Sequence, residues 1–577
     1  MRFRTIIVPI ILFFLMALVI YTRFVGLDWG LPYPMHPDER NMVISILQLN
    51  CNTPVFQECY NPHFFAYGQF PLYMTFIVSM LVQPLLGQFD VLHFETVTLV
   101  LRSISASASL IMVYYLYRII ADLFKLTKLR AVLTVLLVTF VPAFIQFSHY
   151  GTTESLLMMF VSILIFYSLR FMDHRMQTGK YVRIIGIALG LAFSTKVSAG
   201  LFAAIPFFAL TFRMIEQRSW DKVGKYWFVL MKIAAFSILF FVITSPFNII
   251  DWEGFVGSMD YESAVGLGTY KAFYTRQFEF TIPFIFQFIK VFPYTLGWPM
   301  YMLGSIGFFF LPWNKKFNLI RFVLLILFAP NAVMYAKWTR FIAPGFPMMV
   351  LLGISFLYTI SNRIPKVSKA VLIIGTCILI IPGVAYLAIY QTHDVRFVAS
   401  RWMYENIPSS SSILAETANV VDVPIPSNLI NQEQVYRIML HPISFDFYEL
   451  DNSQELQDEL RTYVNNSQYI FVPSRRIFWN HTCYVAENGQ IKPKPYTNIL
   501  SGYETGRCDE LRTMYPLLNI YYEALFEKEL GFEKVAEFTS FPRLQLFGIT
   551  LIEFPDEAAE ETWTVFDHPV IRVYKRE

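Results

Sequence analysis

Long apolar runs alternate with short basic loops along the first part of the chain, up to about Tyr390. A helix needs about 20 apolar residues to cross a bilayer. Two runs, Ile184–Thr195 and Gly200–Phe212, are short for full spans and are interpreted as a pair of helices that meet at Lys196. The pattern predicts about eleven membrane-spanning helices, over Thr5–Phe24, Thr96–Leu116, Ala131–Phe147, Ser155–Phe171, Ile184–Thr195, Gly200–Phe212, Trp227–Ser245, Ile289–Leu311, Ile320–Ala336, Phe341–Ser361 and Ala370–Tyr390.

One further apolar run, Phe70–Gly87, is predicted to form a bent helix on the outer membrane surface and not a span. When it is left out of the spans, the cytoplasmic loops are basic, as the positive-inside rule requires. We therefore expect a multi-pass protein of the plasma (inner) membrane with a cytoplasmic N-terminus. The basic residues of these loops are Arg2, Arg4, Arg118, Lys125, Lys128, Arg130, Arg170, Arg175, Lys180, Arg183, Arg213, Arg218, Lys222, Lys225, Lys315, Lys316, Arg321, Arg363, Lys366 and Lys369.

The composition agrees with a membrane protein and argues against other classes. Of the 577 residues, 55% are hydrophobic and only 15% are charged, whereas soluble proteins carry about 25% charged residues. The net charge of +3 is small and dispersed, so no nucleic-acid partner is expected. No small-residue cleavage site follows Thr5–Phe24, and this run is therefore interpreted as a helix and not as a signal peptide.

The chain changes character after Gln391, where polar and acidic residues return. We divide it into a transmembrane domain of residues 1–390, whose first outer loop covers 25–95 with interfacial helices, and an exoplasmic α/β domain of residues 391–577. The second domain carries no catalytic signature, so a lid or spacer is favoured over acceptor binding. Its predicted helices are Asp394–Asn406, Gln454–Tyr463 and Arg507–Glu529, and its strands are Ser412–Ala415, Tyr469–Val472, Glu533–Phe538, Phe547–Phe554 and Val570–Tyr574.

Charged residues from distant parts of the chain fall at the outer face of the predicted membrane domain. Acids and bases beside a polytopic core usually serve chemistry or ion handling. These residues fall on one face only if Phe70–Gly87 lies on the membrane surface and is not counted as a span. The residues are His36, Asp38, Glu39, Arg102, His149, Glu154, Lys196, Lys337 and Arg340.

The acids of this set have two interpretations each. Asp38 and Glu39 follow Pro37, which suits the first turn of a helix over Asp38–Leu49, where acids favour the helix dipole. A carboxylate here could instead be a general base on an acceptor hydroxyl. Glu154 could cap a helix, or could ligate a divalent metal together with His149. Two ligands do not make a site, so metal binding stays open and no cofactor is predicted with certainty.

The cations are better explained together than singly. Lys196 alone could snorkel to the interface, or it could contact a phosphate. Arg340 adds a second cation on the same face, and arginine is a good bidentate phosphate clamp. Two cations opposite two acidic loops favour an anion site.

The cysteines allow two disulfides in an oxidising compartment. Cys51 and Cys59 lie in the first outer loop, and Cys483 and Cys508 lie in the second domain. Free, buried thiols are an equal alternative. Cys377 falls within a predicted span.

Several motifs, in this order along the chain, resemble the GT-C superfamily of membrane glycosyltransferases, in the branch of the protein O-mannosyltransferases and lipid A aminoarabinose transferases. Each motif is weak alone, and the order carries the resemblance over nearly the whole chain. The matching segments are His36-Pro37-Asp38-Glu39, Phe70-Pro71-Leu72-Tyr73, Leu99 to Ala106 around Arg102, Ser148 to Ser155, Leu191 to Lys196, Arg340 to Pro347, Ala399 to Pro408 and Phe566-Asp567-His568-Pro569.

The resemblance implies an exoplasmic active site, a polyprenyl-phosphate-linked sugar donor and inversion at the anomeric carbon. It maps the catalytic acid onto Asp38, with Glu39 beside it, and a second acid onto Glu154, where many relatives have aspartate. Lys196 and Arg340 match positions expected to hold the donor phosphate. Further candidates for the site are Arg102 for the donor phosphate, and His36, His149 and Lys337. The acceptor, whether lipid, glycan or protein, is left open.

Three other functions compete with single-sugar transfer. A transporter or flippase of lipid-linked sugars should show repeated halves and charges near span centres, and we find neither. A structural assembly protein would tolerate loss of the charged residues. An oligosaccharide-transferring relative usually carries a Trp-Trp-Asp signature, and this second domain has no Trp-Trp pair.

Overall fold

The fold is a helical bundle followed by a domain that contains sheets, seen in a computed structural model that describes residues 2–49, 59–88, 92–218, 223–417, 421–425, 440–487, 490–493 and 499–577. The helices of the first part are α1 (Arg2–Phe24), α2 (Pro37–Gln48), α3 (Gln69–Val82), α4 (Phe94–Phe124), α5 (Lys128–Thr139), α6 (Pro142–His149), α7 (Glu154–Met172), α8 (Thr178–Phe193), α9 (Ala204–Glu216), α10 (Val223–Thr244), α11 (Phe247–Ile250), α12 (Trp252–Leu267), α13 (Phe292–Thr295), α14 (Trp298–Phe310), α15 (Lys315–Val333), α16 (Thr339–Ile342), α17 (Phe346–Arg363) and α18 (Ser368–Leu387).

Within the described residues, eight helices are long and apolar enough to cross a membrane, or nine if α5 and α6, bent by 56°, form one span. Helix α1 is apolar over Ile10–Phe24. The predicted fold class, a polytopic helical membrane protein with a C-terminal domain containing sheets, is confirmed. The eight are Gln69–Leu86, Phe94–Phe124, Glu154–Met172, Val197–Glu216, Val223–Thr244, Lys315–Val333, Thr339–Arg363 and Ser368–Gln391.

The run predicted as a span over Ile289–Leu311 is divided in the structure. Helix α13 ends before Gly297, whose φ of +75° belongs to the left-handed region, and α14 begins at Trp298. Glycine is the residue that adopts this conformation most easily, and the ring of Pro382 packs where its side chain would be. The chain therefore turns at a point that hydropathy alone treats as continuous.

The run that we predicted to lie on the membrane surface forms α3 and the helical turn Gln83–Leu86 after it, and by length and composition Gln69–Leu86 could also span. Its N-terminus is tied to the end of α8, because Gly68 donates to the Thr195 carbonyl at 3.0 Å and Phe70 donates to the Ser194 carbonyl at 3.1 Å. An apolar cavity separates α3 from the first half of α4. Its surface location stays a prediction.

The second domain is built on a mixed five-stranded sheet in the order β2-β1-β3-β9-β6, in which β1 is parallel to both its neighbours and β9 is antiparallel to both of its own. Two further hairpins, β4–β5 and β7–β8, stand apart from it. Its helices are α19 (Val395–Asn406), α20 (Gln454–Asn466), α21 (Phe478–His481), α22 (Ile499–Met514) and α23 (Pro516–Phe526), and its strands are β1 (Ile413–Glu416), β2 (Ile443–Phe445), β3 (Tyr469–Val472), β4 (Tyr484–Glu487), β5 (Gln490–Pro493), β6 (Phe532–Phe538), β7 (Arg543–Leu546), β8 (Ile549–Glu553) and β9 (Ile571–Arg576).

Cys483 and Cys508 form a disulfide in this domain, which confirms one of the two predicted pairs. Cys51 lies outside the described residues, so its pairing with Cys59 stays a prediction. The single helix predicted over Arg507–Glu529 is two helices, since the chain breaks at Tyr515, directly before Pro516. The helical conformation is sterically disfavoured for a residue that directly precedes proline.

A segment of residues 554–570, here called the return segment, joins β8 to β9 and leaves the sheet to pack into the helical bundle. Trp563 and Phe566 are buried within the main core of the membrane domain. The carbonyl of Trp563 accepts a hydrogen bond from Gln146 of α6 at 2.8 Å. The hydrophobic core of the helical bundle therefore includes residues of the second domain near Gln146.

Candidate active site

The N-terminus of α2 presents Asp38 to a cation from another part of the chain. The Nδ1 atom of His36 caps this helix by accepting a hydrogen bond from the Glu39 backbone N–H at 3.4 Å, and Pro37 occupies its first turn. This geometry fixes the direction of the Asp38 side chain, which forms an ion pair with Arg340 of α16. Both side chains keep about a fifth of their surface exposed, so a ligand can reach them.

Glu39, by contrast, is locked in a buried pair. Arg102 holds both of its carboxylate oxygens, with Nε–Oε2 at 2.9 Å and Nη2–Oε1 at 2.7 Å, and the Gly151 N–H donates to Oε2 at 2.6 Å. Arg102 also donates to the carbonyls of Leu27 and Trp29 and lies over the Trp29 ring. Glu39 and Arg102 are both buried, and their hydrogen bonds join four segments of the chain: α2, α4, the stretch of Leu27 and Trp29, and the turn of Gly151.

Glu154 and Lys196 form the second acid–base pair. Glu154 begins α7 and is buried, and its Oε1 lies 3.7 Å from the Lys196 Nζ. Lys196 and Arg340 both lie over the ring of Phe341, at 5.4 and 5.9 Å from its centroid. The two predicted cations are thus brought close to one aromatic ring.

His149 and Lys337 are placed near the site but are occupied by backbone groups. The ring nitrogens of His149 lie 2.8 Å from the carbonyls of Ile145 and Val25, and its ring stacks on Tyr390 at 3.7 Å. The Lys337 Nζ donates to the Tyr335 carbonyl at 3.0 Å, and burial lowers the pKa of Lys337 to about 8. Burial, followed by the charge of Arg340, holds the pKa of His36 well below its usual range, so His36 is neutral at pH 7.

One narrow cavity reaches Asp38 and Arg340 of the first pair and Glu154 of the second. It has polar groups without partners: among the described residues none accepts from the buried Arg340 Nε or pairs with the hydroxyls of Thr152 and Thr339. Buried polar groups without hydrogen bonds are costly and mark places that water or a ligand fills. The cavity is lined by His36, Asp38, Gln146, Phe147, Tyr150, Thr152, Glu154, Thr339, Arg340, Thr562, Trp563 and Phe566.

The return segment supplies one wall of this cavity, which the sequence analysis did not foresee. Glu560 accepts from the Thr339 N–H at 3.3 Å and so caps α16, the short helix that carries Arg340. The Phe566 ring lies 4.4 Å from the His36 ring. The acidic run around Glu560 has the composition of a solvated loop, which is why nothing local indicated its place in the site.

A buried charge cluster holds the return segment in position. His568 lies between two carboxylates, with Nδ1 at 2.5 Å from Asp567 Oδ1 and Nε2 at 3.0 Å from Asp556 Oδ2. These carboxylates raise the pKa of His568 to about 10 against the opposing effect of its burial. Asp567 also accepts from Gln146 of α6 and from Tyr386 and Tyr390 at the end of α18.

Tyr67 is a further residue of the site that sequence reasoning missed. Its ring lies 4.9 Å from the Lys196 Nζ. Burial first, and then the nearby charges of Glu154 and Glu262, raise the pKa of Tyr67 well above its ordinary value. It is therefore a neutral phenol that can donate a hydrogen bond. No group of three or more histidine, cysteine, aspartate or glutamate residues is arranged to hold a metal in the described part of the chain.

With this geometry in view, comparison with protein families identifies one match. Residues 89–242 match the family described as dolichyl-phosphate-mannose-protein mannosyltransferase. This stretch contains Arg102, Glu154 and Lys196. The resemblance to the protein O-mannosyltransferase branch that the sequence predicts is thereby confirmed over these residues. No curated protein sequence matches the chain.

Three solved structures that match this chain are distant from it in sequence. The ArnT of Cupriavidus metallidurans without ligand is 13% identical, with 80% of this chain and 92% of that chain covered and a TM-score of 0.44. The oligosaccharyltransferase of Archaeoglobus fulgidus is 12% identical, with 81% and 71% covered and a TM-score of 0.41. The arabinofuranosyltransferase AftD from Mycobacteria is 12% identical, with 97% and 41% covered and a TM-score of 0.35.

Proposed function

We propose that the protein is an inverting glycosyltransferase that moves a single sugar from a polyprenyl-phosphate-linked donor to an acceptor hydroxyl at the outer face of the membrane. One observation carries the proposal: an accessible carboxylate, Asp38, is paired with a cation whose buried Nε has no acceptor among the described residues, in a cavity beside the second pair, Glu154 and Lys196. The family match over residues 89–242 supports the reaction class.

Asp38 is the candidate general base. Its carboxylate takes the proton of the acceptor hydroxyl as that oxygen attacks the anomeric carbon from the side opposite the phosphate. The bond from the anomeric carbon to the phosphate oxygen breaks, and its electron pair leaves with the polyprenyl phosphate. The products are an inverted glycosidic bond and a lipid phosphate with one more negative charge.

Arg340 and Lys196 are the candidate ligands of that phosphate. A fixed guanidinium and a fixed ammonium stabilise charge as it develops on a leaving group. Arg340 is paired with Asp38 in the structure. A phosphate that draws Arg340 away leaves Asp38 free to act as a base, so donor binding and activation of the base are coupled.

The apolar cavity between α3, α4 and α7 is the candidate channel for the lipid chain. It has a volume of about 500 Å³. Leu156 and Met159 of α7 line it, within two turns of Glu154 in the same helix. A chain of isoprene units in this cavity would bring its phosphate toward the end of α7 where Glu154 and Lys196 lie. Its other lining residues include Phe70, Met74, Val78, Leu99 and Ile104.

Glu39, Arg102, His149 and Lys337 are proposed to position the site and not to touch the substrate. Their hydrogen bonds are made within the protein. In this assignment the Glu39–Arg102 pair holds α2 against α4, so that Asp38 keeps its direction.

The test is sugar transfer in proteoliposomes by wild type, Asp38→Asn and the control Asp458→Asn, which removes an exposed carboxylate of α20. The donors are a panel of sugars on undecaprenyl phosphate, the lipid bound to the C. metallidurans ArnT in one of its crystal structures. We expect Asp38→Asn to lower the rate by about 10²–10⁴-fold, the usual contribution of a general base. Asp458→Asn should transfer at the wild-type rate.

Two outcomes contradict the proposal in different ways. Equal transfer by Asp38→Asn and wild type would remove Asp38 from the chemistry and move attention to Glu154. No transfer from any donor, together with movement of a fluorescent lipid-linked sugar between leaflets in the same vesicles, would favour a transporter.

A further inference from the structure

The β7–β8 hairpin exposes an unusual amount of apolar surface. It is a two-stranded sheet of its own, separate from the five-stranded sheet of the domain. From Leu544 to Ile552 it contains no charged residue. Every residue of β8 is exposed, and so is Leu546 beside the turn. In water, such an apolar and unpaired edge would promote aggregation.

The turn of the hairpin carries a residue that the backbone does not favour. Phe547 has a φ of +50° and Gly548 has a φ of +80°. A two-residue turn with positive φ at both positions is usually Asn-Gly or Asp-Gly, because a bulky side chain is disfavoured there. Phe547 is nevertheless aromatic and 96% exposed. At 96% exposure, the Phe547 ring makes almost no contact with the described part of the chain that would offset this backbone cost.

Charged and apolar residues lie at opposite ends of the hairpin. Arg543 and Glu553 face each other where the two strands leave the domain. Leu546, Phe547 and Ile549 lie at the opposite end, around the turn. Charged residues at the base and apolar residues at the tip are typical of elements that enter the boundary between lipid headgroups and acyl chains.

The position of the hairpin identifies what covers it. Strand β7 packs against α18 and against the turn Ala388–Gln391 that follows it. Helix α18 is one of the eight candidate spans and exposes Ile373, Ile374 and Ile378 outside the bundle. The hairpin therefore packs beside a helix that is long and apolar enough to cross a membrane, and beside the turn at the end of that helix.

We infer that the β7–β8 hairpin is a membrane anchor whose tip enters the lipid interface beside α18. The hairpin lies in the interface and does not span, since the free edges of a two-stranded sheet cannot be satisfied in the hydrocarbon core. The anchor leads directly into the return segment, so the bilayer holds the wall of the cavity close to the membrane domain. This inference does not depend on the reaction that the protein catalyses.

Site-directed spin labelling of the full-length protein in nanodiscs of phosphatidylethanolamine and phosphatidylglycerol tests the anchor. The label is attached at Phe547→Cys in a Cys377→Ser background, and the spectrum of the background protein taken through the same labelling is subtracted. Ile520→Cys is the matched control, because Ile520 is 63% exposed on α23 of the same domain. Both positions are at the surface, so both variants should fold.

At position 547 we expect strong relaxation by oxygen, which is concentrated in lipid, and weak relaxation by a water-soluble nickel chelate. Position 520 should show the reverse. Chelate access at 547 equal to that at 520 would overturn the inference. Shielding of position 547 from both relaxants would also overturn it, in favour of a protein partner.

A second measurement uses charge at the tip. Phe547→Asp with Ile549→Asp should increase cleavage of the hairpin by added protease severalfold, whereas Ile520→Asp should not. Unchanged cleavage in the double variant would contradict the anchor.

Discussion

Replacement of His568 by glutamine removes the positive charge that pairs with both Asp556 and Asp567. The pKa of His568 rises from its ordinary 6.5 to about 10. Since one pKa unit corresponds to about 1.4 kcal/mol, the folded state favours the protonated ring by about 5 kcal/mol. This agrees with the 3–5 kcal/mol that loss of one partner of a buried ion pair generally costs. We expect His568→Gln to release the return segment and to abolish transfer.

The pH dependence follows from the sign of this change. A raised histidine pKa means that the stabilisation is complete below pH 6.5 and is lost as the pH rises toward about 10. The pKa of Asp567 is lowered by the charge of His568 and by hydrogen bonds from His568, Tyr390 and Gln146, against its burial. The stabilisation that depends on the negative charge of Asp567 is therefore lost only in acid. The wild-type protein should hold the segment at neutral pH and release it in alkali.

Thermal unfolding and limited proteolysis in nanodiscs between pH 6.5 and pH 10 measure both effects. The matched control is Lys528→Gln, which removes the cation of the exposed Lys528–Glu533 pair in the same domain and should change little. The decisive result is the slope of stability with pH. A decline in His568→Gln as steep as that of the wild type would refute the assignment of the alkaline loss to His568.

Three other predictions concern stability. Glu39→Gln should lower the melting temperature strongly, because it leaves the buried charge of Arg102 unpaired at a cost of about 3–5 kcal/mol; a shift as small as that of an exposed substitution in a parallel melt would contradict this. Cys483→Ser should cost about 3 kcal/mol of stability, since the bond to Cys508 closes a loop with a sequence separation of 25 residues, and reduction of the wild type should reproduce the melting curve. Burial raises the pKa of Glu416 to about 8, so stability should fall between pH 4.5 and 8 as its proton is lost, and Glu416→Gln should flatten that part of the melting profile.

Local signals in the sequence were enough to predict several elements. The helix predicted over Asp38–Leu49 is observed as Pro37–Gln48, and the strand Tyr469–Val472 has the predicted bounds. Proline in a first turn and a short apolar run between polar residues are signals carried by neighbouring residues. The break before Pro516 had such a signal too, but the apolar pattern on both sides of it outweighed the proline.

The site itself was predictable only in part. The sequence could place Asp38 and Arg340 near each other because the outer ends of membrane spans lie at one level of the bilayer. Residues predicted at that level can differ only in their position within one plane. The partner of Arg102 could not be found in this way, because Glu39 lies 63 residues away and either acid of the pair Asp38-Glu39 would have suited it. The contact of Gln146 with Trp563 joins residues 417 positions apart, and nothing near either residue indicates it.

The return segment also bears on how the protein is made. It follows all the spans and every other residue of the cavity along the chain, so the ribosome completes it after α18 has been synthesised. The spans of a nascent chain are therefore complete while the wall formed by Trp563 and Phe566 is still missing. For the proposed transfer reaction, insertion into the bilayer and completion of the active site are therefore separate events in biogenesis. A chain that terminates before this segment should accumulate as an inserted but inert membrane protein.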